Sequence, residues 1–145
     1  MWHNFFMKET VKILIADDHP ILRAGLRTLL SAEARFQVIG DAADGREAIR
    51  GVDNLKPDLV LIDLSMPTMN GCAAVRQIKK QHPHIKVLVL TIHKTEEYIF
   101  EAFRAGADGY CLKDVGYPEL IAQIEKVLSI KEAGRANFGG KPLPV

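Results

Sequence analysis

Five side chains that follow or end apolar runs carry the chemistry legible in this chain: the adjacent acids Asp17 and Asp18, a third acid Asp63, the hydroxyl of Thr91 and the ammonium of Lys113. Singly, each has an ordinary reading. Asp17 or Asp18 could cap a helix, Asp63 could be a loop acid, Thr91 a β-branched strand residue and Lys113 a solvated cation. Together they define a site. Three carboxylates at one edge repel one another and push at least one pKa upward unless a cation neutralises them. Hard oxygen ligands favour Mg²⁺, which keeps several waters and binds through one or two carboxylates plus phosphate oxygen. An ammonium and a hydroxyl are the groups that hold the other oxygens of a transferring phosphoryl group, and one of the carboxylates can be the nucleophile that becomes an aspartyl phosphate.

The pattern around these residues supplies a way to gather them. Between Val11 and Lys131 short Val, Ile and Leu runs alternate with segments of helical spacing, βα five times over. The strands are expected at Val11 to Ala16, Phe36 to Ala42, Leu59 to Ile62, Val87 to Leu90 and Gly109 to Leu112, apolar on both faces as in a covered parallel sheet. Apolar stripes such as Leu22, Leu26, Leu29 and Leu30, or Leu120, Ile124 and Val127, give each intervening helix a face to pack. Pro20 and Pro118 suit first helical turns, while Lys56-Pro57 and His82-Pro83 end the second and third helices. In such sheets ligands bind beyond the carboxyl ends of the strands, where strand order reverses. Asp17, Asp18, Asp63, Thr91 and Lys113 all belong to that end.

Other chemistries are excluded. The first strand runs into DDHPILRAG, with neither GxGxxG nor GxxxxGK[ST], and two acids there would repel a bare pyrophosphate. Nineteen Lys and Arg against 18 Asp and Glu leave a net charge of +1, so nothing global attracts nucleic acid or an anionic membrane. Cys72 and Cys111 stand apart without a CxxC, and the five histidines lack metal spacing and read as surface residues, which suits a reducing cytoplasm. No apolar run approaches the roughly 20 residues of a membrane span. The 145 residues suit one domain. Residues 1–10 read as an N-terminal extension, and 132–145, with three Gly and two Pro, as a tail or a linker to an output domain, both poorly ordered unless docked.

Four stretches, KILIADDHPILRAGL, PDLVLIDLSMPTMNG, KVLVLTIH and AGADGYCLKD, resemble the response-regulator receiver domains of two-component signalling, in family order and with family-like spacing (91 − 63 = 28; 113 − 91 = 22). DDHP and GADGYCLKD are similar to the subgroup usually fused to a LuxR-type helix-turn-helix DNA-binding domain. The resemblance covers residues 11–131. It implies a doubly wound, flavodoxin-like (βα)5 α/β fold with a five-stranded parallel sheet in the order 2-1-3-4-5. It also implies that Asp63 is the phosphoacceptor and that Mg²⁺ is bound by Asp18 directly, by Asp17 mainly through water and by the backbone carbonyl of Ser65. Thr91 and Lys113 would contact the phosphoryl group, and Tyr110 would be the aromatic switch, its ring turning inward as Thr91 moves. The partners implied are a sensor histidine kinase, DNA only through a C-terminal domain, and a second copy on activation, with an output face at about Thr95 to Lys131.

Two positions depart from the family pattern. Asp114 stands where many receivers carry proline after the strand-five lysine, so a trans peptide is expected. Ile92 is bulkier than the small residue common after Thr91, which points to slow self-dephosphorylation. Other readings are a stand-alone receiver or phosphorelay protein, an aspartyl-phosphate phosphotransferase, disfavoured because the acids are adjacent rather than in a DxD, and a pseudo-receiver, disfavoured by the complete acid, Thr and Lys set.

Overall fold

The computed structural model describes residues 10–67 and 69–130; the expected terminal extension and tail lie almost wholly outside this range. Five strands alternate with five helices: β1 (Val11–Ala16), α1 (Pro20–Ser31), β2 (Phe36–Ala42), α2 (Gly45–Leu55), β3 (Leu59–Ile62), α3 (Gly71–Gln81), β4 (Lys86–Thr91), α4 (Glu96–Ala105), β5 (Gly109–Leu112) and α5 (Tyr117–Leu128). The sheet is parallel throughout, in the order β2-β1-β3-β4-β5. This is the doubly wound order the resemblance implied.

Alternation along each central strand divides the core in two. Leu14, Ala16, Val60, Ile62, Val87 and Val89 face α2, α3 and α4, whereas Ile13, Ile15, Leu59, Leu61, Leu88 and Leu90 face α1 and α5. Every residue of β3 and β4 is buried, the mark of strands covered on both faces. The edge strand β2 departs from that expectation: only its ends, Phe36 and Ala42, are buried, because it has a partner on one side alone. β4 extends one residue beyond each expected end, since Lys86 pairs with Leu59 and Thr91 with Leu112, so Thr91 is the last strand residue.

Helix ends follow local chemistry. Pro20 and Pro118 occupy first turns, and the side chains of Asp44 and Asn70 cap α2 and α3 by accepting the N–H of Glu47 and Ala73, each at 2.9 Å. Lys56 closes α2 in the left-handed region (φ 51°) before Pro57, and His82 closes α3 before Pro83. His82 is not the surface residue expected. Its ring meets Asp53 on α2 at 2.8 Å and is only 15% exposed, so it ties two neighbouring helices together. The Lys113–Asp114 bond is trans, as are the others among the described residues.

Candidate functional site

Register decides which polar residues meet. Ala16 and Ile62 are paired in the β1–β3 ladder, and the N–H of Asp63 donates to the carbonyl of Ala16 at 2.9 Å. Asp17 and Asp63 therefore emerge side by side at the point where strand order reverses. On the other side, Thr91 and Leu112 are paired, and the N–H of Lys113 donates to the carbonyl of Thr91 at 2.8 Å. Lys113 reaches back across the sheet end from there. Its Nζ lies 2.8 Å from Asp17 Oδ2 and 3.3 Å from Asp63 Oδ2.

The loop bearing Asp63 is held by a close backbone contact. Gly71 opens α3 against it, its N–H donating to Leu64 carbonyl at 2.9 Å, and a Cβ at Gly71 would stand 2.3 Å from the carbonyl oxygen of Asp63 and 2.6 Å from Leu64 Cα. Only glycine permits that approach.

Charge balance in the pocket is specific. Burial pushes the Asp17 carboxyl up, but hydrogen bonds from Lys113, from the N–H of His19 and from the His19 ring, with the Lys113 charge, outweigh it and hold the pKa below the ordinary carboxylate value. His19 N and Nδ1 both donate to Asp17 Oδ1, at 2.8 and 2.6 Å, and Arg23 donates to the Asp17 carbonyl. Asp18 is served differently. His19 Nδ1 stands 3.2 Å from Asp18 Oδ1 but is committed to Asp17, so this buried oxygen has no hydrogen-bond donor among the described residues. Ligand atoms of Asp17, Asp18, His19 and Asp63 all lie within 4.8 Å of one another. A hard, oxygen-rich donor set with one unserved carboxylate oxygen fits a divalent cation.

The structure thus brings Asp17, Asp18, Asp63 and Lys113 together. Thr91 is fully buried at the strand end, its Oγ1 accepting the N–H of His93 at 3.3 Å. Ser65 is exposed, its hydroxyl bonded to the ring of His93 at 2.6 Å. Tyr110 packs half-buried against the α2, α3 and α4 side of the core and donates its hydroxyl to the carbonyl of His93 at 2.7 Å. Burial first, then Cys72 and Tyr98, pushes its phenol up to about 12. Sequence reasoning missed His19 and His93. Their signal was position, directly after the acid pair and two residues after Thr91, but neither position reveals a partner.

A doubly wound sheet places its ligand site at the switch point, and here three acids and a lysine meet there. Residues 13–125 match the family described as response regulator receiver domain, and the chain belongs to that family. It is 38% identical over 117 residues to the transcriptional regulatory protein DegU of Brevibacillus brevis (81% of this chain, 50% of DegU). It is 41% identical over 117 residues to the response regulator protein VraR of Staphylococcus aureus (81% of this chain, 56% of VraR). The chain spans about half the length of these curated relatives. Among solved structures it is similar to a LuxR-family two-component response regulator from Aurantimonas sp. SI85-9A1, with TM-score 0.79 and 34% identity over 88% of this chain and 94% of that one. The signal receiver domain of the putative response regulator NarL from Mycobacterium tuberculosis matches with TM-score 0.81 and 28% identity, over 86% of this chain and all (100%) of that one. The chain is a two-component receiver domain whose relatives are transcriptional regulators of the LuxR and NarL type. Among the described residues no helix is long and apolar enough to cross a membrane.

Proposed function

We propose that the chain is a phosphorylation-controlled switch in which Asp63 accepts a phosphoryl group from the phosphohistidine of a sensor kinase. The observation that carries this reading is Lys113 Nζ standing against both Asp17 and Asp63, beside the unserved oxygen of Asp18. In the transfer an Asp63 carboxylate oxygen bonds to phosphorus, the N–P bond of the phosphohistidine breaks, and its electron pair stays on the leaving imidazole. Asp17, Asp18, Asp63 and the carbonyl of Ser65 would hold Mg²⁺, which supplies charge neutralisation between carboxylate and phosphoryl oxygens. Lys113 and Thr91 would take the remaining phosphoryl oxygens. The added charge would then bias Thr91, Tyr110 and the α4-β5-α5 face, on which a second copy would pair. Chemistry is self-modification, not turnover of a metabolite.

In a full-length protein this switch would govern a LuxR-type DNA-binding output in the cytoplasm, in keeping with relatives of whose length the chain spans about half. Ile92, 68% exposed beside the buried Thr91, would slow water or partner access to the phosphorylated site, so Ile92→Ala should speed decay of the phosphoryl group.

The test is intact mass after incubation with a small-molecule phosphodonor, with and without Mg²⁺, on the native chain and on Asp63→Asn. One Mg²⁺-dependent phosphoryl addition, lost in the variant, is expected. No addition to a folded, Mg²⁺-binding chain would instead favour a pseudo-receiver.

A further inference from the structure

His93 makes four contacts, and the two made by its ring are ones that the phosphoryl chemistry leaves unexplained. Its N–H donates to Thr91 Oγ1 at 3.3 Å and its carbonyl accepts the Tyr110 hydroxyl at 2.7 Å. Its Nε2 shares a 2.6 Å hydrogen bond with Ser65 Oγ, and its ring lies flat on Tyr98, centroids 3.9 Å and planes 7° apart. Ser65 stands on the connection after Asp63, Tyr98 in the first turn of α4 and Tyr110 in β5. One residue therefore joins three segments to the end of β4.

Core packing does not account for this arrangement. Ser65 is exposed and Tyr98 is 42% exposed, so the fold does not force either against the imidazole. The ring has two torsions to fix. The Ser65 bond aims Nε2, and the Tyr98 face sets the plane. Each contact thus prepays part of the ordering cost of the other, which makes them energetically coupled although Ser65 and Tyr98 belong to different segments.

We propose that His93 is a positioning residue whose imidazole latches the Ser65 loop to α4, so that a phosphoryl group on Asp63 is transmitted to Tyr98 through the ring. The proposal rests on Asp63 being the phosphoacceptor. A double-mutant cycle through the ring supplies the evidence that spatial intermediacy alone lacks.

The experiment measures binding of beryllium trifluoride with Mg²⁺, the phosphoryl mimic, to the full chain by calorimetry. It compares the native chain, Ser65→Ala, Tyr98→Ala and the double variant, and repeats the set on His93→Ala, with thermal unfolding confirming that each variant folds. Each single change is expected to weaken binding by about two- to tenfold. The double variant should lose less than the product of the two, because cutting either contact already frees the ring. On His93→Ala both changes should be silent, and the slowing of α4 amide exchange seen on binding to the native chain should disappear. His93→Phe, which keeps the stack but not the bond, should silence Ser65→Ala alone. Independent effects in the native background, or the same effects without the imidazole, would overturn the latch while leaving the phosphoacceptor reading intact. A native chain that binds Mg²⁺ but no beryllium trifluoride would defeat the phosphoacceptor reading and the latch with it.

Discussion

Lys113 Nζ lies 2.8 Å from Asp17 Oδ2, and both side chains are nearly sealed from water, 11% and 3% exposed. An ammonium held there serves as the pocket's own counter-ion, since it also faces Asp63 at 3.3 Å. Removing it leaves the buried Asp63 and Asp17 carboxylates without their shared cation, with His19 serving Asp17 alone. Lys113→Ala is expected to destabilise the metal-free chain by about 3 kcal/mol, within the range for breaking a buried pair from one side, with partial recovery on adding Mg²⁺. Urea unfolding in a chelator and then in Mg²⁺ measures both effects. A loss below about 0.5 kcal/mol, ordinary for a surface change, would show that the ammonium is not the counter-ion.

Asp18 differs from Asp17 in having a buried oxygen with no donor, and that oxygen is the clearest invitation to a cation. Asp18→Asn should therefore stabilise the metal-free chain slightly, by relieving repulsion, and abolish its response to Mg²⁺. In the native chain Mg²⁺ at a hundred times its dissociation constant should add about 2.7 kcal/mol. Thermal unfolding across a Mg²⁺ series reads both. An undiminished Mg²⁺ shift in the variant would remove Asp18 from the ligand set.

Gly71 is the backbone residue on which the acid loop rests, and neither atom nearest its missing Cβ belongs to a flexible side chain. Gly71→Ala must displace the Asp63 carbonyl or the start of α3. A cost of about 1–3 kcal/mol is expected, as for overpacking elsewhere, together with a fall in the rate of phosphoryl addition. Stability and mass-detected phosphorylation measured on the same variant check the two parts. Native behaviour in both would mean that the loop yields more readily than its contacts imply.

Tyr110 supplies the pH dependence. Its phenol rises to about 12, chiefly through burial, so the folded chain keeps a proton that the unfolded chain loses near the ordinary value of about 10. The folded state binds more protons in that window. Stability contributed by Tyr110 is therefore complete below about pH 10 and falls as pH rises toward about 12. Tyr110→Phe should flatten that part of the alkaline stability profile and delete the absorbance step near pH 12. Loss of a step near the ordinary value of about 10 instead would place the Tyr110 hydroxyl in water rather than on His93.

Much of the fold was legible because buried parallel strands leave a signal that few other elements leave. Leu59–Ile62 and Val87–Leu90 are continuous apolar runs because helices cover both faces, and the polar residues that follow them mark one edge of the sheet. The edge strand β2 read as apolar on both faces although only Phe36 and Ala42 are buried, because its apolar residues do not say how many neighbours the strand has. Histidine partners were illegible for a related reason. His82 meets Asp53 and His93 meets Ser65 across 29 and 28 positions, distances along the chain over which no local pattern operates.

The sequence by itself determined the alternation of strands and helices, the acids, hydroxyl and lysine at the strand ends, and the family to which those stretches are similar. These follow from periodicity and residue type, which act over a few neighbours. Tertiary structure alone decided that Lys113 bridges Asp17 and Asp63, that one oxygen of Asp18 is left unserved, and that His93 gathers Ser65, Tyr98 and Tyr110. Those relationships depend on the pairing of Ala16 with Ile62 and of Thr91 with Leu112. Strand register is a property of the assembled sheet, settled only when the apolar faces of neighbouring strands align on one core.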